Sequence, residues 1–253
     1  MPVKPQAEIE FFDRFVEQHE EYDVLGEGAY ARLLGEFAAR CEPRGGERCV
    51  DCGCGTGAFT RRLRKFGLQL TGIDISQKSI ESARARAREQ GGAESYAAGD
   101  IRHLDFGKSS VDIAVFSGVL HHMPEARQRI ELLREAFRVL RPGGRVFGFD
   151  PSAHSPSMWL YRSPSSPLHS NAGKTENEVL LSRGELESEL QAAGFADIRV
   201  RGAAGITYRY VESRAARAFL PLYNVYEKLL RASFLENRLG TFLVSFGRRP
   251  RSV

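Results

Sequence analysis

Apolar residues recur at three-to-four spacing twice near the start of the chain, in Ile9-x-x-Phe12-x-x-Phe15-Val16 and in Tyr30-x-x-Leu33-Leu34-x-x-Phe37. That period lays one apolar stripe along each of two helices, and the glycine-punctuated segment 22–28 joins them. From residue 48 the pattern changes. Short apolar runs closing at Asp51, Asp74, Asp100 and Ser117 read as strands, and a helix is predicted from Glu125 to Leu140. The turn Arg141-Pro-Gly-Gly144 leads into a fifth strand over 145–149. Ser182 followed by Glu185 has the capping-box spacing, so a helix opens there and Gly194 closes it. Strands are predicted again at 195–200 and 241–247. Alternating strands and helices on this scale specify an α/β protein.

Residues 50–57 read Val-Asp-Cys-Gly-Cys-Gly-Thr-Gly at the first strand-to-helix junction. Gly53, Gly55 and Gly57 remove side chains that would hold a nucleotide-like ligand off the backbone, and they allow the φ values of a tight turn. The loop is therefore a ligand cradle. Gly53, Gly55 and Ala58 also fit the dinucleotide G-x-G-x-x-G/A fingerprint, so the segments downstream arbitrate. Asp74 ends the second strand, where a carboxylate accepts both hydroxyls of a ribose. Because Gly57 begins the helix, a methyl group there is expected to be milder than a side chain at Gly55.

Five segments occur in one order: Asp51-x-Gly-x-Gly-x-Gly57, Gly72-Ile-Asp74-Ile-Ser, Gly99-Asp100-Ile, Leu120-His-His-Met-Pro124 and Leu140-Arg-Pro-Gly-Gly144. On these, residues 48–200 resemble class I S-adenosylmethionine-dependent methyltransferases, especially the small-molecule enzymes of the ubiquinone and menaquinone biosynthesis type. The resemblance implies a Rossmann-like, doubly wound, seven-stranded sheet with an antiparallel last strand. It implies S-adenosylmethionine as cofactor and S-adenosylhomocysteine as product. By the same resemblance Asp51 and Gly53 hold the methionine end, and Asp74, with Ile75 beside it, holds the ribose. Asp100 and Ile101 then read the adenine edge, Phe116 and Ser117 floor the methionine pocket, and Tyr30 and Tyr22 line the site from the N-terminal helices. The implied layout is a single domain with a helical cap at 1–45, a cofactor core at 46–150, a lid-like loop at 151–181, and a remainder at 182–253 carrying a helical insertion at about 203–240.

The chemistry is an in-line displacement of methyl from a sulfonium, for which collinear positioning and exclusion of water are the main tasks. A hydroxyl acceptor also gains from a base, and the candidates are His121, His122 and His154, in that order. Residues 151–177 hold four prolines, seven serines and Trp159. A loop of that length leaving the fifth strand reads as an acceptor-side lid, with His154, Trp159, Tyr161 and His169 as its functional side chains. In the insertion, Phe219, Leu222, Tyr223, Tyr226, Leu229, Leu230 and Phe234 are spaced as one helical face starting near Pro221. That face caps the acceptor pocket or packs on the core, while Arg214, Arg217, Lys228 and Arg231 leave docking on a membrane surface open.

The fourth strand is followed by Phe116-Ser-Gly-Val and not by the Asn/Asp-Pro-Pro-aromatic segment that embraces a nucleobase amine, and no Pro-Cys nucleophile is present. Small-molecule oxygen or carbon acceptors are favoured. None of the eight tyrosines has a lysine four residues on, which argues against a short-chain dehydrogenase, whereas a non-methylating binder of the same cofactor stays open. The net charge of +4 is modest and concentrated in the tail and in Arg84, Arg86 and Arg88, which read as a solvated helix face with no nucleic-acid partner. Cys41, Cys49, Cys52 and Cys54 complete no tetrahedral ligand set, so no metal is expected. With no signal-peptide core and no apolar run of about 18 residues, a cytoplasmic protein is expected.

Overall fold

The computed structural model describes residues 5–19, 23–163, 165, 166, 169, 175, 177–209 and 214–251. Tyr22 lies outside them. Seven strands form one sheet: β1 (Arg48–Cys52), β2 (Gln69–Asp74), β3 (Ser95–Ala98), β4 (Val111–Ser117), β5 (Leu140–Pro151), β6 (Ala196–Ala203) and β7 (Phe242–Arg248). Their order is β3-β2-β1-β4-β5-β7-β6. The first five run parallel, and β7 is antiparallel to both of its neighbours. This is the Rossmann-like architecture that the resemblance implies.

Helices cover both faces, which is why the central strands read as nearly continuous apolar runs. On one face, Ile113, Val115, Phe147 and Phe149 pack with Tyr30, Leu33 and Phe37 of α2 (Glu27–Cys41) and with Phe59 of α3 (Ala58–Arg62). Phe147 meets Phe37 edge-on at 5.4 Å. On the other face, Ala114, Phe116 and Val146 pack with Leu132, Leu133 and Ala136 of α5 (Ala126–Val139) and with Leu186 and Leu190 of α7 (Arg183–Ala192). The N-terminal helix α1 (Pro5–His19) docks on the start of α4 (Gln77–Glu89), where the Ser76 hydroxyl donates to Asp13 at 2.6 Å and Lys78 pairs with Glu17. Strand order reverses between β1 and β4. The crevice beyond their carboxyl ends is where an open α/β sheet binds ligands.

Three segments depart from expectation. The predicted turn over residues 141–144 is part of β5, which starts at Leu140. Within 151–181 a short helix, α6 (Pro156–Arg162), replaces the first part of the expected loop. Ser155 caps it and Pro156 opens it with a preset φ, a start signal that the lack of periodicity in seven residues concealed. In the insertion, α8 (Arg214–Arg231) begins before Pro221 and encloses it, and a short α9 (Glu236–Leu239) follows. The predicted apolar face of α8 is divided. Tyr223, Glu227 and Leu230 turn inward, and Phe219, Leu222 and Leu229 turn outward. Polar contacts set that rotation: Glu227 accepts from Thr241 and from the Ile206 N–H, and the Tyr223 hydroxyl donates to the Ile206 carbonyl at 3.0 Å.

A buried ion pair joins α5 to α7. Arg129 donates to both oxygens of Glu189 at 2.6–3.1 Å, and its remaining nitrogen donates to the Met123 carbonyl at 2.6 Å. Glu189→Ala leaves a buried guanidinium unpaired and is expected to lower stability by about 3–5 kcal/mol. Urea titration of the two proteins measures this, and a loss below 1 kcal/mol contradicts the account.

Candidate active site

A cavity of about 410 Å³ opens at the carboxyl ends of β1, β2 and β4 and continues beneath α1. Gly53, Gly55, Asp74, Ile75, Asp100, Ile101, Ser117 and Tyr30 all line it. Gly53 and Gly55 hold positive φ values of 73° and 52°. A methyl group on Gly53 would collide with Val119 at 2.6 Å, whereas one on Gly55 would meet no atom within 4 Å. Gly55 therefore presents bare backbone to open space, the shape of a cradle for a flat ligand.

The acids at the strand tips divide the work. Asp74 accepts the Gly55 N–H at 2.8 Å and the Ser76 N–H at 2.9 Å, which pins the loop to the tip of β2. Burial raises its carboxyl above the usual range, against the pull of those two N–H groups. Asp51 lies beneath the loop, outside the cavity lining, and takes the Thr60 hydroxyl at 2.6 Å and the Ser117 hydroxyl at 3.0 Å. Burial pushes Asp51 up to about 6. Asp100 at the rim is gripped by the Arg102 guanidinium at 2.6–3.0 Å, and those bonds outweigh burial and hold it low. Phe116 and Gly57 also lie outside the lining. Phe116 packs in the core with Val50 and Leu132. Gly57 has φ 77°, and a methyl group there would sit 2.6 Å from the Tyr96 hydroxyl. A methyl group at Gly57 therefore carries a cost in stability that is separate from any effect on binding.

At the far end of the cavity stand His121 and His122, whose rings lie 4.1 Å apart in the turn after β4. Asp150, near the tip of β5 and fully buried, accepts the His121 main-chain N–H at 3.1 Å and lies 2.9 Å from its ring Nδ1. Burial, helped by the nearby charge of His122, drives His121 down to about 3, and burial pushes Asp150 up to about 7. His122 has the opposite fate. Its Nδ1 faces Glu8 of α1 at 2.9 Å, and although burial opposes its charge, Glu8 and then Glu178 raise it above its ordinary value. His154 does not line the cavity; it sits in the turn after β5, its N–H bonded to the Ser152 hydroxyl. Of the other lid residues proposed, Tyr161 lines the cavity, Trp159 and His169 do not.

Among the described residues, His121, His122 and Glu178 bring ligand atoms within 4.8 Å of one another, the spacing of a metal site. Their charges are already matched, His122 by Glu8 and Glu178 by Arg162 at 3.7 Å. A cation would have to displace the His122 proton. The four cysteines are free and buried, and burial raises every thiol, that of Cys41 to about 12.

A methyltransferase domain model matches residues 50–148. The 27-O-demethylrifamycin SV methyltransferase of Amycolatopsis mediterranei is 36% identical over 224 residues, spanning 85% of this chain and 78% of that protein. The chain belongs to the class I S-adenosylmethionine-dependent methyltransferases. An O-methyltransferase of Penicillium expansum, cnsE, is 32% identical over 186 residues, covering 72% of this chain and 63% of its own length. Among solved structures, a Haemonchus contortus phosphoethanolamine N-methyltransferase bound to S-adenosylhomocysteine superposes with a TM-score of 0.67 at 18% identity, covering 98% of this chain and 60% of that one. The [4+2]-cyclase SpnF superposes at 0.60 with 23% identity, covering 87% and 81%. At those identities the two share the fold.

Asp150, Glu8, Glu178, Arg102 and Tyr208 are lining or supporting residues of this methyltransferase that sequence reasoning missed. Asp150 carried a readable signal, since it closes its strand as Asp51 and Asp74 close theirs. Glu8 carried none, because its partner lies more than a hundred residues away.

Gly55→Val fills the cradle and forces a β-branched residue to positive φ, so S-adenosylhomocysteine binding is expected to be abolished in calorimetric titration. Gly57→Ala is expected to lower stability by about 1–3 kcal/mol through its φ and the Tyr96 contact. Asp74→Ala removes a carboxylate from the cavity wall and frees the Gly55 N–H; if that carboxylate receives the ribose hydroxyls, the expected loss in cofactor affinity is about 2–4 kcal/mol. Unchanged affinity in the Asp74 variant would remove it from the site.

Proposed function

We propose that this methyltransferase methylates a hydroxyl oxygen of a small-molecule acceptor, with His121 as general base and Asp150 as the residue that orients it. The observation that carries the reading is the 2.9 Å contact between Asp150 and Nδ1 of His121 at the inner wall of the cavity. S-adenosylmethionine, when bound, supplies a methyl group already activated on a sulfonium. Gly53, Gly55, Asp74 and Ser117 are the residues to hold it, with Asp100 and Ile101 around its adenosine end and Tyr30 lining the cavity from α2.

The proton bookkeeping follows from the pair. When Asp150 is ionised it accepts Nδ1–H, and the neutral imidazole keeps a lone pair on Nε2. Nε2 then takes the acceptor's hydroxyl proton as the oxygen attacks, and the buried carboxylate stabilises the imidazolium that results. When Asp150 is protonated it donates to Nδ1, the ring proton moves to Nε2, and the base is lost. Because burial puts that step at about 7, methyl transfer is expected to rise with pH through about 7.

His122 serves differently. Paired with Glu8, which favours its charged form, and with Phe12 against its ring at 5.7 Å, it ties α1 down as a roof over the cavity and keeps water from the reacting atoms.

The test is a set of variants assayed against hydroxyl-bearing acceptors. His121→Ala and Asp150→Asn are each expected to lower turnover by roughly 10²–10⁴ with cofactor affinity little changed, and Asp150→Asn is expected to remove the pH dependence near 7. Full activity in both variants with a flat pH profile would leave positioning alone as the mechanism and favour an acceptor that needs no base.

A further inference from the structure

We propose that α8 and the turn that follows it dock this protein on an anionic lipid surface. Phe219, Leu222, Val225 and Leu229 recur at helical spacing along the outer face of α8, and Phe234 stands in the turn beyond. Phe219, Leu222 and Leu229 are 63%, 68% and 67% exposed, and Phe234 is 93% exposed. Single exposed apolar residues are ordinary, but a stripe of four along one helix, extended by a fifth in the turn beyond, is a binding surface.

Charge says what covers it. Between residues 214 and 239 the chain has five cations, Arg214, Arg217, Lys228, Arg231 and Arg238, and two acids. Both acids point inward: Glu227 is buried against Thr241 and the Ile206 N–H, and Glu236 bonds Arg32 at 2.9 Å and the Ala204 N–H at 3.2 Å. Arg217, Lys228, Arg231 and Arg238 are exposed. Among the described residues of this segment, the charged side chains left exposed beside the apolar stripe are cations. A second copy of the chain would set like charges against one another, whereas anionic headgroups complement them. The exposed residues of the stripe offer no hydrogen-bonding side chain, and the one hydroxyl on that side, of Tyr226, is half-buried at its edge, whereas a protein partner ordinarily supplies about one hydrogen bond per 100–200 Å². An acyl boundary asks for none.

The docked face adjoins the cavity. Tyr208 lines it, packs on Tyr223 of α8 at 5.7 Å, and exchanges hydrogen bonds with Asn224 through both its N–H and its carbonyl at 3.3 Å. The proposal is independent of which residue acts as base, since its test requires no methyl transfer.

Sedimentation with vesicles of phosphatidylcholine alone, or with one third phosphatidylglycerol, is the experiment. Binding to the anionic vesicles is expected, weakening as salt is raised, with at least tenfold less on the neutral ones. The outward-facing variant F219S/L222S/L229S is expected to lose binding at least tenfold while its thermal unfolding and its cofactor affinity stay unchanged. Lys228→Glu combined with Arg238→Glu is expected to lose the preference for anionic lipid. Failure of the native protein to bind anionic vesicles, or equal binding by the triple variant, overturns the proposal. So does a dimer in light scattering without lipid that the triple variant disperses, because the stripe is then covered by a second copy.

Discussion

The histidine end of the cavity depends on the contact between Asp150 and His121. A carboxylate sealed from solvent near the tip of β5 reaches the main-chain N–H and the ring of a histidine in the turn after β4, so one side chain fixes both the path of that turn and the tautomer of its imidazole. Both groups titrate away from their ordinary ranges in that position, because burial disfavours the imidazolium and the carboxylate alike. The pair therefore behaves as a unit with one proton to place. The parallel register of β4 and β5, which pairs Ser117 with Phe149, is what brings the two ends together.

Polar support behind the site is layered in the same manner. Arg129, neutralised by Glu189, reaches the Met123 carbonyl and so holds the far end of the histidine turn from the α5–α7 side. Glu8 holds His122 from α1, and α1 is itself fastened to the start of α4 through Ser76 and Lys78. Asp74 stands two residues before Ser76 and bonds its N–H, so the roof over the histidine end of the cavity and the glycine loop at the other end share an anchor.

The outer face of α8 follows a different logic. Its inward contacts are largely polar, through Glu227, Tyr223 and Asn224, and these choose which side of a doubly apolar helix is buried. The remaining side is left outward with its cations, beside the wall that Tyr208 contributes to the cavity.

The strand-tip acids and the loop glycines were legible in the sequence because each lies within a few residues of the element that positions it, and local spacing is what a sequence displays. That sufficed for the α/β class and for placing Gly53, Gly55, Asp74 and the histidine pair on one cavity. It did not distinguish His121 from His122, because adjacent residues in a tight turn differ only in what approaches them: Asp150 from β5 in one case, Glu8 from α1 in the other. His154 had the right chemistry and the wrong address, since the turn after β5 carries it off the cavity wall. The rotation of α8 was likewise invisible, because a helix apolar on two sides has no periodic signal for which side goes in. Those choices belong to contacts between residues far apart in the chain, and only the packed tertiary structure makes them.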